Sequence, residues 1–335
     1  MAKKFVYFFG GGKAEGKGTM KDLLGGKGAG LAEMTNIGLP VPAGFTITAE
    51  VCDFYYKSVK KYPQGFAQEV KKNLARLEKL VGKKLGDPED PLLVSVRSGA
   101  ARSMPGMMET ILNLGLNDRS VEGLARKTAN RRFALDAYRR FIVMYGSTAM
   151  GVPRKKFDDE FDDIKERRTK VRLNIRKGHV LDTDVNESEL EELITRFKSV
   201  YKDATKKDFP QDPEEQLWGS VGAVIGSGMA EKAVTYRRVE KITGLLGTAV
   251  NIVHMVFGNK GDTSGTGVCF TRDPNTGEDE FYGDLLMNAQ GEDVVAGIRT
   301  PIHLSDLDRI MPEIYTQLTK VRSKLERHYK DMQDI

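Results

Sequence analysis

The chain alternates between two hydrophobic periods. Residues 5 to 9 are apolar without a break and run into a glycine-rich polar stretch, the pattern of a short buried strand followed by a loop. Between 66 and 81 the apolar positions Phe66, Val70, Leu74, Leu77 and Leu80 recur every three to four residues, which predicts an amphipathic helix. P-L-L-V-S-V, residues 91 to 96, predicts a strand buried on both faces. From about 117 to 208 glycine thins, charge rises and helical periods dominate. Phe133, Ala137, Tyr138, Phe141, Ile142 and Tyr145 make one stripe there; Leu190, Leu193, Ile194, Phe197, Val200 and Tyr201 make another, behind a capping-box start at Asn186 and Glu189. The basic run at 165 to 179 between those stripes reads as solvated surface. After Trp218 the pattern predicts strands again, in A-V-T-Y-R-R, T-A-V-N-I-V-H-M-V-F, S-G-T-G-V-C-F-T-R and E-F-Y-G-D-L-L-M-N-A, joined as an antiparallel sheet. Pro312 to about Tyr329 predicts a last helix, with proline suitably at its first turn.

Composition narrows the class. With 335 residues and 40% apolar content, the chain can bury the cores of one large or two to three ordinary domains. A net charge of +5 tilts it toward anionic partners but is too small for a dedicated nucleic-acid binder. Cys52 and Cys269 lie far apart, which supports neither a disulfide framework nor a zinc site. The apolar run at the N-terminus is too short for a signal peptide, and no stretch is long enough to span a membrane, so the expected location is the cytoplasm, with no membrane or nucleic-acid partner.

The candidate chemistry lies in glycine-rich segments that carry cations. Lys27 sits in G-G-K-G-A-G, read as a loop feeding a helix, and Arg97 leaves the buried strand in V-S-V-R-S-G-A. Glycines let backbone N–H groups approach a phosphate, while an ammonium and a guanidinium fork neutralise its oxygens. A surface lysine in an ordinary turn produces the same local pattern, and no Walker A motif is present. Residues 98 to 108, with Met104, Met107 and Met108 around Pro105 and Gly106, suit a lid over a ligand, although Met108 reads better as core. A third glycine loop at 258 to 268 reads as a hairpin tip or as a phosphate nest built on Ser264, Gly265, Thr266 and Gly267. Gln290, Glu292 and Asp293, with Asp331 and Asp334, are candidate polar groups for a metal, and magnesium asks for one or two carboxylates plus substrate phosphates.

Five long strings together resemble the pyruvate phosphate dikinase family. They are L-L-G-G-K-G-A-G-L-A-E-M, P-V-P-A-G-F-T-I-T, S-V-R-S-G-A-A-R-S-M-P-G-M-M-E-T-I-L-N-L-G-L-N, F-G-N-K-G-D-T-S-G-T-G-V-C-F-T-R and N-A-Q-G-E-D-V-V-A-G-I-R-T-P. The resemblance runs from Phe5 to Ile335, with gaps only in the helical part. It implies an α+β protein of ATP-grasp fold, in which two α+β subdomains clamp ATP. The implied divisions are a first subdomain over 1–116, returning over 209–255, a helical insertion over 117–208, and a second, truncated subdomain over 256–335.

The resemblance also implies roles. Lys27 and Arg97 would bind ATP phosphates and carry the catalysis; Met104 and Gly106 would belong to the loop over the transferred phosphoryl group; Gly265, Thr266, Gly267 and Glu292 would contact nucleotide; and Asp334 would hold magnesium. The family site continues on a strand bearing glutamate and glutamine, so the chain is expected to be a fragment that binds nucleotide weakly and does not turn over. The implied partners are ATP, inorganic phosphate and the phosphohistidine and pyruvate-binding domains of the same enzyme, with the intact enzyme a homodimer. His179, His254, His303 and His328 all lack the setting of a phosphorylated histidine. Where the family pattern is R-S-W-x-N-P-R-A this chain reads G-S-G-M-A-E-K-A, with Gly228 and Lys232, and Val253 replaces a common glutamine. Two alternatives stay open: an ATP-grasp dikinase with another acceptor, and a non-catalytic nucleotide-binding or interaction module.

Overall fold

The computed structural model describes residues 3–102, 104, 106, 109–171, 180–295 and 299–335, without the side chains of 169–171, 292 and 295. The chain forms two compact units, Met1–Met255 and Val256–Ile335. The first begins with β1 (Val6–Gly10), β2 (Lys13–Ala14), α1 (Lys21–Asn36), β3 (Gly44–Ile47), α2 (Ala49–Lys57) and α3 (Phe66–Val81). It continues through β4 (Lys84–Leu85), β5 (Pro91–Leu92), β6 (Val94–Ala100) and β7 (Thr110–Leu114). Helices follow: α4 (Ser120–Thr128), α5 (Arg131–Met144), α6 (Arg154–Val171), α7 (Glu187–Thr205), α8 (Pro213–Ser227) and α9 (Glu231–Val239), before β8 (Thr248–His254) closes the unit.

Its main sheet has the order β2-β1-β3-β8-β6-β7, with antiparallel neighbours throughout. The register creates two adjacent rows with opposite characters. Phe8, Phe45, Ile252, Val96 and Ile111 stand opposite one another across five strands and are all buried. The next row, one residue along each strand, is Tyr7, Thr46, Asn251, Arg97 and Thr110. Because successive side chains point to opposite faces, the first row builds the core and the second builds a polar face. Contacts of α3 with β1, of α5 with β7 and of α8 with β6 and β8 join the helices to this sheet.

Helix α1 lies over the polar face, and glycine lets it do so. A Cβ on Gly28 would come within 2.8 Å of Asn251 Oδ1 and of Thr46 Cγ2, so only hydrogen fits between helix and strands. Gly25 breaks the helix with φ 70° and ψ 165°, and a Cβ there would lie 2.1 Å from the Gly99 carbonyl oxygen. The expected glycine loop is therefore a kinked helix: among these glycines only Gly25 takes the left-handed conformation, and Lys27 lies in the first turn after the kink.

The helical stretch carries the expected capping box, with Asn186 Oδ1 accepting from the Glu189 amide at 3.0 Å and Glu189 Oε2 accepting from the Asn186 amide at 2.8 Å. The strand expected in A-V-T-Y-R-R is instead α9. Its acidic start at Glu231 and basic end at Arg237 and Arg238 complement the helix dipole, and Ala233 is its buried contact, so no alternating face exists for a sheet to cover. Trp218 likewise lies within α8, against Tyr62 and Phe66, and the β-rich texture resumes only at β8.

The second unit contains β9 (Gly265–Phe270), β10 (Tyr282–Met287), α10 (Gly291–Val295), β11 (Ile302–His303), α11 (Leu307–Ile310) and α12 (Pro312–Tyr329). The antiparallel pair β10-β9 matches two of the expected strands, but β8, expected in the same sheet, pairs with β3 and β6 in the first unit, and the short β11 completes the sheet here. Cys269, Phe281, Leu285, Leu304 and Leu307 form its core. The whole is α+β, and among the described residues no helix is long and apolar enough to cross a membrane.

Two glycines of α1 should respond oppositely to alanine. A Cβ on Gly30 meets nothing within 4 Å, so Gly30→Ala is expected to stabilise the first unit by ~0.5–1 kcal/mol through helix propensity. Gly25→Ala combines a left-handed backbone with a clash and is expected to cost at least ~2 kcal/mol. Denaturant midpoints of the two variants check both.

Candidate nucleotide site

The polar row places Arg97 one strand in from the β7 edge of the sheet, between Asn251 and Thr110, where it is exposed while its strand neighbours Val96 and Ser98 are buried. Helix α1 contacts β6 and brings Lys27 to the same face. The consequence is visible in Lys27 itself. Its ammonium is held below the ordinary lysine range, first because surrounding protein removes hydration from the charged form and second because the Arg97 guanidinium repels it. Lys27 is exposed as a residue, so the crowding acts on an ammonium that solvent and ligands still reach. Two cations side by side at the first turn of a helix, over backbone kept close by Gly25, Gly28 and Gly99, form a place where an anion relieves electrostatic strain.

Asn251 stands beside Arg97 in the polar row and lies against Gly28 of α1. It is fully buried, its Oδ1 accepts from Thr46 Oγ1 at 2.8 Å, and a Cβ on Gly99 would lie 2.7 Å from its Nδ2. That Nδ2 has no hydrogen-bond partner among the described residues. The sequence reading missed Asn251, although a lone amide inside the apolar run T-A-V-N-I-V was the available signal. It also missed Glu109, which pairs with Lys232 at 2.5 Å and accepts from Thr148 Oγ1 at 3.5 Å, tying the chain just after the methionine segment to α9.

Within the methionine segment, Met104 is buried and Gly106 adopts φ 70° with open space around it. Ser103, Pro105, Met107 and Met108 lie outside the described residues, as does His179. His254 ends β8, His303 lies in β11 and His328 lies on α12.

The second unit revises the third glycine loop. Gly265, Thr266 and Gly267 belong to β9, paired with Met287, Leu286 and Leu285 of β10. The loop proper is 258 to 264, closed by Ser264, whose hydroxyl donates toward the Gly258 and Gly261 carbonyls at 3.0 and 2.9 Å and accepts from the Lys260 amide at 3.0 Å. Ser264 is thus committed to the turn, whereas Gly265 and Gly267 sit in extended backbone. Cys269 turns its backbone away from β10 to exchange hydrogen bonds with Ile335, at 3.0 and 2.7 Å. By strand alternation Gly267 and Gly265 present their backbone groups to that same outer edge.

Asp334 stands opposite Phe270 at this edge and is exposed; its charge, after burial, contributes to pushing the Cys269 thiol up to about 11. Glu292 lies on α10, its side chain outside the described residues, and Asp293 accepts from the Gln290 amide at 2.9 Å. Gln290 is buried, and neither of its side-chain polar atoms has a partner among the described residues. Among the described residues no three His, Cys, Asp or Glu side chains gather as a metal site. One carboxylate, Asp334, fits magnesium only in company with phosphate oxygens.

This is an α+β protein whose first unit sets two cations and a helix start over glycine-thinned backbone, an arrangement with the charge and the backbone access to receive an anion. The family model described as "Pyruvate phosphate dikinase, AMP/ATP-binding domain" matches residues 21–62 and 59–306, and the chain belongs to that family. It is 53% identical over 335 residues to "Pyruvate, phosphate dikinase 1, chloroplastic" of Arabidopsis thaliana, covering 100% of this chain and 34% of that protein. It is 53% identical over 333 residues to "Pyruvate, phosphate dikinase" of Clostridium symbiosum, covering 99% of this chain and 37% of the relative. The chain thus spans about a third of the length of these relatives.

Lys27 should acylate at lower pH than the other lysines, because its neutral amine appears earlier. Arg97→Gln removes the repulsion but leaves the larger desolvation effect, so the reactivity midpoint should rise without reaching the ordinary lysine value. Acetic anhydride labelling across pH, read by mass spectrometry, measures this.

Proposed function

We propose that the chain is the nucleotide-binding portion of a pyruvate phosphate dikinase with an ATP-grasp architecture. In this reading 1–116 and 209–255 form one subdomain, 117–208 its helical insertion and 256–335 the other subdomain. The intact enzyme, a homodimer located in the cytoplasm, passes the β-phosphoryl of ATP to a histidine on another domain while inorganic phosphate takes the γ-phosphoryl. AMP and pyrophosphate result, and the phosphohistidine then converts pyruvate to phosphoenolpyruvate. The observation that carries the reading is the adjacency of Lys27 and Arg97 on a chain of this family.

Phosphoryl transfer depends chiefly on positioning and on neutralising oxygen charge. Arg97, with its planar fork, holds two oxygens of one phosphate, and Lys27 adds a point charge. Met104 and Gly106 belong to a segment that covers the reacting phosphoryl group, and Gly265, Thr266, Gly267 and Glu292 are nucleotide contacts of the second unit. Asp334 together with phosphate oxygens would hold magnesium, which shields phosphate charge when bound.

Calorimetry with ATP and magnesium on the full chain tests the proposal. Wild type should bind ATP, and Arg97→Ala and Lys27→Ala should each weaken binding by about tenfold or more, since a hydrogen bond to a charged group contributes ~1.5–3 kcal/mol. In the intact enzyme, Arg97→Ala should lower nucleotide-dependent phosphorylation of the histidine by on the order of 10² to 10³. Transfer at the normal rate in that variant would refute the role of Arg97, and absence of ATP heat in the wild type would favour a plain interaction module.

A further inference from the structure

A cavity of about 380 Å³ opens in the first unit between α2, the turn between α8 and α9, the last turn of α9 and the segment leading into β8. Its size falls within the ~300–1,000 Å³ of small-molecule sites. Of the residues assigned to nucleotide, only Met104 reaches its wall.

The lining is mostly apolar, from Met104, Met229, Leu245, Leu246, Cys52 and the Tyr56 ring. Two of its polar groups are already committed to protein. The Tyr56 hydroxyl donates toward the Ile225 and Gly226 carbonyls at 3.4 and 3.2 Å, and the Cys52 thiol, kept neutral by burial, faces the Ile225 carbonyl at 3.8 Å. At the rim Lys57 and Asp53 neutralise each other at 2.8 Å. Arg237 remains as the surplus charge. Its Nη1 donates to the Gly228 carbonyl at 2.6 Å and its Nη2 lies 3.8 Å from Met229 Sδ, which fixes the guanidinium in the wall and leaves part of its donor fork for a guest.

Gly228 packs its backbone against Thr248: a Cβ there would lie 2.5 Å from Thr248 Oγ1, so this part of the wall is backbone alone. A predominantly apolar chamber with one oriented cation selects a guest of matching polarity.

We propose that this cavity is a second ligand site that takes a small organic monoanion with an apolar body, its anionic head on Arg237 and its body against Met104, Leu245 and Leu246. The site stands independently of the nucleotide reading, and failure of ATP to bind would leave it intact.

Fluorescence titration of the full chain with 1-anilinonaphthalene-8-sulfonate tests it, with uncharged N-phenyl-1-naphthylamine as the comparison probe. Leu246→Trp fills the mouth at a half-exposed position, and Arg237→Gln removes the charge. The expected result is saturable one-site binding of the sulfonate, weakened by about tenfold or more in each variant, with the neutral probe weaker by a similar factor. No saturable binding, equal binding of the two probes, or unchanged binding in both variants overturns the proposal. Should Arg237→Gln fail to fold, Leu246→Trp and the charge-preserving Arg237→Lys decide: the tryptophan variant must lose the sulfonate and the lysine variant must retain preference for it over the neutral probe.

Discussion

The seat of α1 on the polar face of the main sheet is the contact on which the candidate site depends. Helix and strands approach so closely that Gly28 fits over Thr46 and Asn251 with no room for a methyl group, and Gly25 lies against the Gly99 carbonyl. This approach holds Lys27 beside Arg97 although the two repel. Burial of the apolar row on the opposite face anchors the strands, so the repulsion is imposed by packing that takes place elsewhere.

A second charged cluster shows what a structural solution looks like. In α5 the buried carboxylate of Asp136 accepts from Arg139 and Arg140 at 2.8 and 2.9 Å. Burial by itself would raise its pKa, and the arginines more than offset that, holding the carboxyl well below the usual range. There the protein supplies its own counter-charge. At Lys27 the perturbing neighbour is another cation, and an incoming anion improves both groups at once. The same logic separates Lys57, matched by Asp53, from Arg237, whose committed acceptors are a carbonyl and a thioether.

Much of the fold was legible because its signals are local. The spacing of Phe66, Val70, Leu74 and Leu77 sufficed for α3, Asn186 and Glu189 for the start of α7, and Pro312 for the start of α12. The segment at 233 to 238 misled because β-branched and aromatic residues favour strands only where a sheet face receives them, and here one buried alanine anchors a helix. Glycine was the other source of error. In G-G-K-G-A-G it reads as a loop former, yet Gly28 serves as a small helix surface; in T-S-G-T-G it reads as a turn, yet Gly265 and Gly267 are strand residues.

The sequence by itself determined the residue types of the candidate site, a lysine and an arginine among glycines, and the family to which five long strings tie the chain. It also determined the alternation that makes one sheet face apolar, since side-chain direction along a strand follows from position alone. Only the tertiary structure decided which polar residues share a row with Arg97, because Tyr7, Thr46, Asn251 and Thr110 come from four other strands whose register no local pattern specifies. It decided likewise that Asn251 lies between Thr46 and Arg97 in the polar row and that Arg237 lines a cavity. Both outcomes arise from contacts between segments far apart in the chain, and close approach of that kind leaves its mark in space before it leaves one in sequence.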